Sequence, residues 1–253
     1  MKKIISILLL FSLFACGTDD KINMVNFSFN FSHNWDETPV SNEDFNSIKF
    51  TNANNDQLSI ERLRYLISDI KFENSNGESI IIEGYNLIDV TNNQNLSFAP
   101  SVSIRKGTYS NVSFIFGFKN EKNIEGAYPD LNATSWNVPA MLGGGYHYMQ
   151  LDGKFLNSSN TEQGYNYHAI RAADNPGMNP TFPQDTFFEV HLGNVTISND
   201  AIFNIEMNIA EWFKNPHTWD LNVLNQMLMP NSNAQILIYD NGQNVFSLES
   251  INQ

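Results

Sequence analysis

Apolar and polar residues alternate along much of this chain, and a period of two is the pattern of strands with one buried face. Val25, Phe27, Phe29 and Phe31 are separated by Asn26, Ser28 and Asn30. Leu58 to Phe72 repeats the pattern through Ile60, Leu63, Tyr65, Ile67, Ile70 and Phe72, with two adjacent polar pairs that mark bulges. Asn76-Gly77 is a hairpin turn signal, and Ile80 to Ile82 starts the return strand. Further strands are expected at Tyr85 to Val90, Ser101 to Arg105, Tyr109 to Phe118, after Gly143-Gly144-Gly145, and at Tyr165 to Ile170, Phe187 to Leu192 and Ile202 to Ile209. There is no βαβ rhythm and no long repeat. The predicted fold is therefore all-β, a single antiparallel β-sandwich with long loops.

One or two short helices are expected near the C-terminus. Ala210 to Lys214 supplies one turn, and Asp220 caps a helix that places Leu221, Leu224 and Leu228 on one face before Pro230. Gln235 to Tyr239 and Val245 to Leu248, on either side of Asn241-Gly242, predict a closing hairpin. The core is expected to include Phe27, Phe29, Phe31, Leu63, Tyr65, Phe114 and Phe116.

Before the first strand, Lys2 and Lys3 open a short apolar run from Ile4 to Ala15, the parts of a secretory signal peptide. The run is too short to cross a bilayer comfortably. Leu13-Phe14-Ala15-Cys16 resembles the lipobox of bacterial lipoproteins, in which the cysteine is diacylated and becomes the first mature residue. Gly17-Thr18-Asp19-Asp20 resembles the acidic signal of surface-exposed lipoproteins in Bacteroidetes-type bacteria. The expected organisation is a signal peptide over 1–15, a lipidated tether over 16–23 and one domain over 24–253. The expected location is the cell envelope, as an outer-membrane lipoprotein held through Cys16 and facing the periplasm or the surface.

Cys16 is the only cysteine, so the exported domain has no disulfide, thiolate metal site or thiol nucleophile. Without Lys2 and Lys3, the 14 basic residues fall to 12 against 27 acidic ones, and the mature chain carries −15 with histidines neutral. That charge argues against nucleic acid as a partner and suits cations, neutral glycans or a basic protein. No catalytic arrangement stands out. Asp69, Asp89 and Asp152 form no recognisable acid–base pair, no G-x-S-x-G elbow is present, and the glycine run lacks the lysine of a phosphate loop.

The chain has five histidines, His33, His147, His168, His191 and His217, and none forms a closely spaced pair. His147, His168 and His191 fall in successive strands with aromatic neighbours, so pairing of those strands could bring the imidazoles to one end of the sandwich. Nitrogen ligands without a carboxylate cluster favour copper or zinc over calcium or magnesium. In a competing reading, Trp35, Trp136, Trp212 and Trp219 with the many tyrosines offer a sugar-stacking platform.

A succession of short patterns resembles the MbnP-like (methanobactin-associated, copper-binding) domain family of bacterial exported proteins, in a divergent Bacteroidetes-type lipoprotein branch. These are Phe27 to His33, Leu63-Arg64-Tyr65-Leu66-Ile67-Ser68-Asp69-Ile70, Phe114-Ile115-Phe116-Gly117-Phe118, the Gly145-Tyr146 strand ending Leu151-Asp152-Gly153, Tyr165-Asn166-Tyr167-His168, Ile209-Ala210-Glu211-Trp212-Phe213 and Trp219-Asp220-Leu221. The resemblance implies a β-rich domain that in some members binds copper through histidine and an oxidised tryptophan, with His168 matching the family histidine. The tryptophans expected before Gly145-Tyr146 are replaced by Met141-Leu142-Gly143-Gly144, the histidine expected after Phe118 is replaced by Asn120-Glu121-Lys122-Asn123, and Trp136 lies nearby but out of register.

The resulting expectation is a membrane-anchored lipoprotein that binds or handles copper without catalysis. Its metal residues would be His147, His168 and His191, and its partners the membrane, the metal ion and an envelope protein. The alternative is a surface glycan-binding or assembly lipoprotein that uses aromatic faces without metal.

Overall fold

The computed structural model describes residues 23–253. The signal segment, Cys16 and the tether through residue 22 lie outside the described residues. Nine principal strands build the domain: β1 (Phe27–Trp35), β2 (Arg62–Glu73), β3 (Ser79–Asp89), β4 (Gly107–Phe116), β5 (Met149–Leu156), β6 (Glu162–Ala169), β7 (Phe188–Ile197), β8 (Ala201–Asn208) and β9 (Phe246–Asn252). Two helices accompany them, α1 (Pro129–Ala133) and α2 (Ser232–Gly242), with a short 3-10 turn at Ile209–Phe213.

The larger sheet divides along β2. One edge of β2 pairs with β3 from Arg64 to Glu73. Its other edge is shared, with β4 paired to residues Ile67 to Glu73 and β5 to Arg62 to Tyr65. Two wings result, β4–β7 and β5–β6. Leu66 sits at the divide, where its amide donates to Tyr148 O in one wing and its carbonyl accepts from Gly117 N in the other. Gly117 has φ +82°, and a Cβ there would lie 2.4 Å from the Tyr148 ring, so only glycine fits the fork. A predicted bulge appears at Asp69, which has φ +46° and breaks the register of β2 against β3 between Ser68 and Ile70.

The smaller sheet runs β9–β8–β1 and packs face to face on the larger one. Phe27, Phe29 and Phe31 meet Phe72, Phe114 and Tyr65 of β2 and β4 edge to face, at centroid separations of 4.9–6.2 Å. All seven predicted core residues are buried. Burying each large apolar side chain contributes roughly 1.5–3 kcal/mol, so the phenylalanine seam is the main cohesive element.

Three local expectations are corrected. The sandwich is not wholly antiparallel: β8 enters the smaller sheet from β7 of the larger one and lies parallel to β1, Ala201 opposite Phe27. Residues Gln235 to Tyr239 are helical and belong to α2, not to a hairpin strand. Asn231 caps α2 through its side chain to Ala234 N, and the buried Ala234, Ile238, Asn241 and Gly242 recur at helical spacing. β9 pairs instead with β8. The third concerns Asp220, which caps only a single turn by accepting from Asn222 N and Leu224 N. That segment continues as turns in which Leu221 and Leu228 are buried without helix.

Candidate metal centre

Alternation along the β2–β5–β6 wing sorts its residues by face. Leu63, Tyr65, Leu151, Tyr165 and Tyr167 point to the core. The cross-strand rows Arg64–Gln150–His168 and Arg62–Asp152–Asn166 occupy the opposite face. A segment around Trp136 covers part of that polar face. Arg64 donates to Thr134 O at 3.3 Å and lies 5.1 Å from the Trp136 ring centroid, and Gln150 donates to Ser135 O. The loop Met227 to Pro230 closes the other side and, with Asn166 and His168, borders a cleft of about 300 Å³.

His147 and His168 meet here, with their rings edge to face and centroids 5.3 Å apart. His168 Nε2 donates to Asp152 Oδ1 at 2.8 Å, so in the neutral ring Nδ1 carries the lone pair. That Nδ1 is buried and has no hydrogen-bond partner. His147 Nδ1 donates to Trp136 O at 2.9 Å, and its Nε2 faces Met229 Sδ at 3.2 Å. Only a charged imidazole could donate from both nitrogens. Burial, with a smaller contribution from His168, pushes the His147 pKa down to about 4, so the ring is neutral and Nε2 also presents a lone pair. The neutral His147 ring thus presents Nε2 to the Met229 thioether, with the His168 ring packed against it.

Asp152 fixes this arrangement from behind. Its carboxylate accepts from His168, from Asn166 and from Arg62 Nε at 2.5 Å. Burial acts to raise its pKa, but the hydrogen bonds and charge of His168, together with bonds from Arg62 and Asn166, outweigh that and hold it well below the usual carboxylate range. Gln235 of α2 joins the two halves of the site. It donates to His168 O and to Leu228 O and accepts from Ile170 N, all within a fully buried environment.

Among the described residues no three His, Cys, Asp or Glu side chains cluster around a metal position. The imidazole pair therefore reaches three donors only through Met229. Such a set, two imidazole nitrogens and one thioether, fits a soft cation such as Cu(I) and not a hard one.

His191 does not join the pair. It is exposed on β7 in the row Lys71–Ser113–His191, with Nδ1 against Asn111 Nδ2 at 2.9 Å. His168 lies in the row through Arg64, and Arg64 and Lys71 are separated by about 20 Å at the usual rise per strand residue. His33 is buried in the sandwich with Nε2 3.0 Å from Tyr65 OH, and His217 contacts Asp240 at 2.9 Å. The four tryptophans are all buried, so the proposed sugar-stacking platform contains none of them. Trp136 packs on His147 with ring centroids 5.7 Å apart. The residue that sequence reasoning missed is Met229, whose signal was the spaced pair Met227-Leu228-Met229 before Pro230.

A family profile described as MbnP matches residues 24–232. Among solved structures, MbnP from Methylosinus trichosporium covers 91% of this chain and 99% of its own length, with a TM-score of 0.52 and 12% sequence identity. At that identity the likeness is one of fold. No curated protein matches this chain in sequence.

Proposed function

The chain belongs to the MbnP family, and from that premise we propose that it is a non-catalytic envelope protein that binds and hands on copper. His147 Nε2, His168 Nδ1 and Met229 Sδ would hold Cu(I). The observation that carries this reading is His168 Nδ1, a buried ring nitrogen with no hydrogen-bond partner, on an imidazole packed against His147, whose Nε2 faces the Met229 sulfur. An orphaned buried acceptor is costly unless something completes it. The carboxylate behind His168 is the outer-shell arrangement that fixes a ligating imidazole.

Membrane attachment through a lipidated Cys16 belongs to the same proposal, with the domain at the outer membrane exchanging metal with an envelope partner. Replacing Cys16 with serine should release the protein from the membrane fraction and abolish its labelling by palmitate. Persistent labelling would remove the anchor from the proposal.

Titration of Cu(I) against a competing chelator tests the site itself. Wild-type protein should take up one ion per chain, and His168→Ala and Met229→Leu should each bind far more weakly. Equal binding by wild type and His168→Ala would overturn the reading.

A further inference from the structure

The cleft that His168 and Met229 border has a second thioether in its lining. Met227 borders the same cleft, yet it is 76% exposed. Its placement is unusual on two counts. Its backbone is left-handed, with φ +57°, and the other described non-glycine residues with positive φ are Asn, Asp, Glu or Ser. A methionine there gains neither the local hydrogen bonds that let Asn and Asp tolerate this conformation nor burial for its apolar side chain.

Nor is the segment loose. Asn225 O accepts from Asn166 N at 2.8 Å, and the side chains of Asn225 and Gln226 both donate to Gly164 O at 3.3 Å. On the far side Leu228 O accepts from Gln235 Nε2 at 3.1 Å. Met227 is therefore held in water by a loop tied to β6, the strand that carries His168, and to α2.

We propose that Met227 is the entry ligand of the copper site, an exposed thioether that takes Cu(I) from a donor and passes it inward to Met229, His147 and His168. The inference rests on the copper reading of the buried site. Each step exchanges one coordinate bond for another. The donor's bond to the metal breaks as the bond to Met227 Sδ forms, and that bond breaks as Met229 Sδ and the imidazoles replace it. No electron moves, and an imidazole that carries a proton on its coordinating nitrogen gives it to water as its bond to the metal forms. A soft, flexible thioether suits transient binding of this kind.

The test compares wild type, Met227→Leu and Met229→Leu, with Cu(I) supplied from and returned to a coloured aromatic-nitrogen chelator. Leucine keeps size and apolarity and removes the sulfur. Met227→Leu should leave equilibrium affinity within about threefold of wild type while slowing both transfer directions by about tenfold, whereas Met229→Leu should lose affinity by about 10–100-fold. Transfer by Met227→Leu at the wild-type rate would overturn the entry role and leave the buried site standing. A loss of affinity in Met227→Leu as large as in Met229→Leu would also overturn it, making Met227 a resident ligand. Failure of wild type itself to take up Cu(I) would remove the underlying reading and this inference with it. Met227→Asn, which suits the left-handed backbone, should reproduce the slow transfer without loss of folding, and wild-type transfer by it would count equally against the role.

Discussion

Asp152 Oδ1 and His168 Nε2 stand 2.8 Å apart, and that hydrogen bond decides which imidazole nitrogen carries the proton when the ring is neutral. The carboxylate, held ionised by His168, Arg62 and Asn166, keeps a proton on Nε2. Asp152→Asn replaces a strong acceptor with an amide that can also donate, so it loosens this choice of tautomer and lowers the basicity of the ring. Affinity for Cu(I) should fall by about 10–100-fold, the usual cost of losing an outer-shell partner. Chelator competition measures it, and unchanged affinity would show that Asp152 does not position His168.

Gln235 reaches three backbone groups from one side chain: His168 O, Leu228 O and Ile170 N. Gln235→Leu keeps the volume and leaves those groups unpaired in a buried place. A loss of at least about 2 kcal/mol in urea unfolding is expected, since each buried unsatisfied group costs about 1–3 kcal/mol. Metal affinity should drop too, because the strand of His168 and the loop of Met229 lose their common tie. A variant as stable as wild type would mean that water or local rearrangement satisfies these groups.

The alternation of Phe27, Phe29 and Phe31 and of Leu63 and Tyr65 made the sandwich legible, because a period of two has one structural solution when a face must be buried. The C-terminal region was less so. Gln235-Ile236-Leu237-Ile238-Tyr239 has the composition of a strand, and only the spacing of Ala234, Ile238 and Asn241 together with the Asn231 cap marks a helix. The parallel pairing of β8 with β1 is a relation between segments far apart in sequence, and local pattern carries no trace of it. Within the site, His147 and His168 were readable because they flank the β5–β6 hairpin. His191 shared their spacing and aromatic neighbours, but the fork on β2 sends its strand into the other wing. Met229 comes from a distant loop, and thioethers are more often core than ligand, so its role emerged only from the sulfur facing His147.

His33 makes stability depend on pH. It is buried beside Tyr65, and burial lowers its pKa to about 4 from an ordinary value near 6.5. The unfolded chain then binds the proton more readily than the folded one between those values. Stability from keeping His33 neutral is complete above about pH 6.5 and is lost as pH falls toward 4, by up to about 3 kcal/mol. His147 is shifted in the same direction, so His33→Gln should flatten the decline without removing it. Urea midpoints of metal-free protein from pH 8 to pH 4 measure this. Parallel curves for wild type and variant would show that His33 does not titrate differently in the folded state.

Gly242 is where α2 packs directly on Phe188 and Trp212. A Cβ at this position would lie 2.6 Å from Phe188 Cε1 and 2.9 Å from Trp212 Cζ3. Neither ring is free to retreat, since Phe188 stacks on Phe116 at 4.8 Å and Trp212 packs on the same ring at 5.4 Å. Alanine ordinarily favours a helix over glycine by about 1 kcal/mol, so propensity alone predicts stabilisation. Overpacking against fixed rings opposes it and costs about 1–3 kcal/mol. The clash should win, and Gly242→Ala should lower the urea midpoint. Gly164→Ala serves as the comparison, because a Cβ there meets nothing closer than 3.7 Å. If Gly242→Ala proves as stable as wild type while Gly164→Ala behaves as expected, the helix docks less tightly on Phe188 and Trp212 than these distances require.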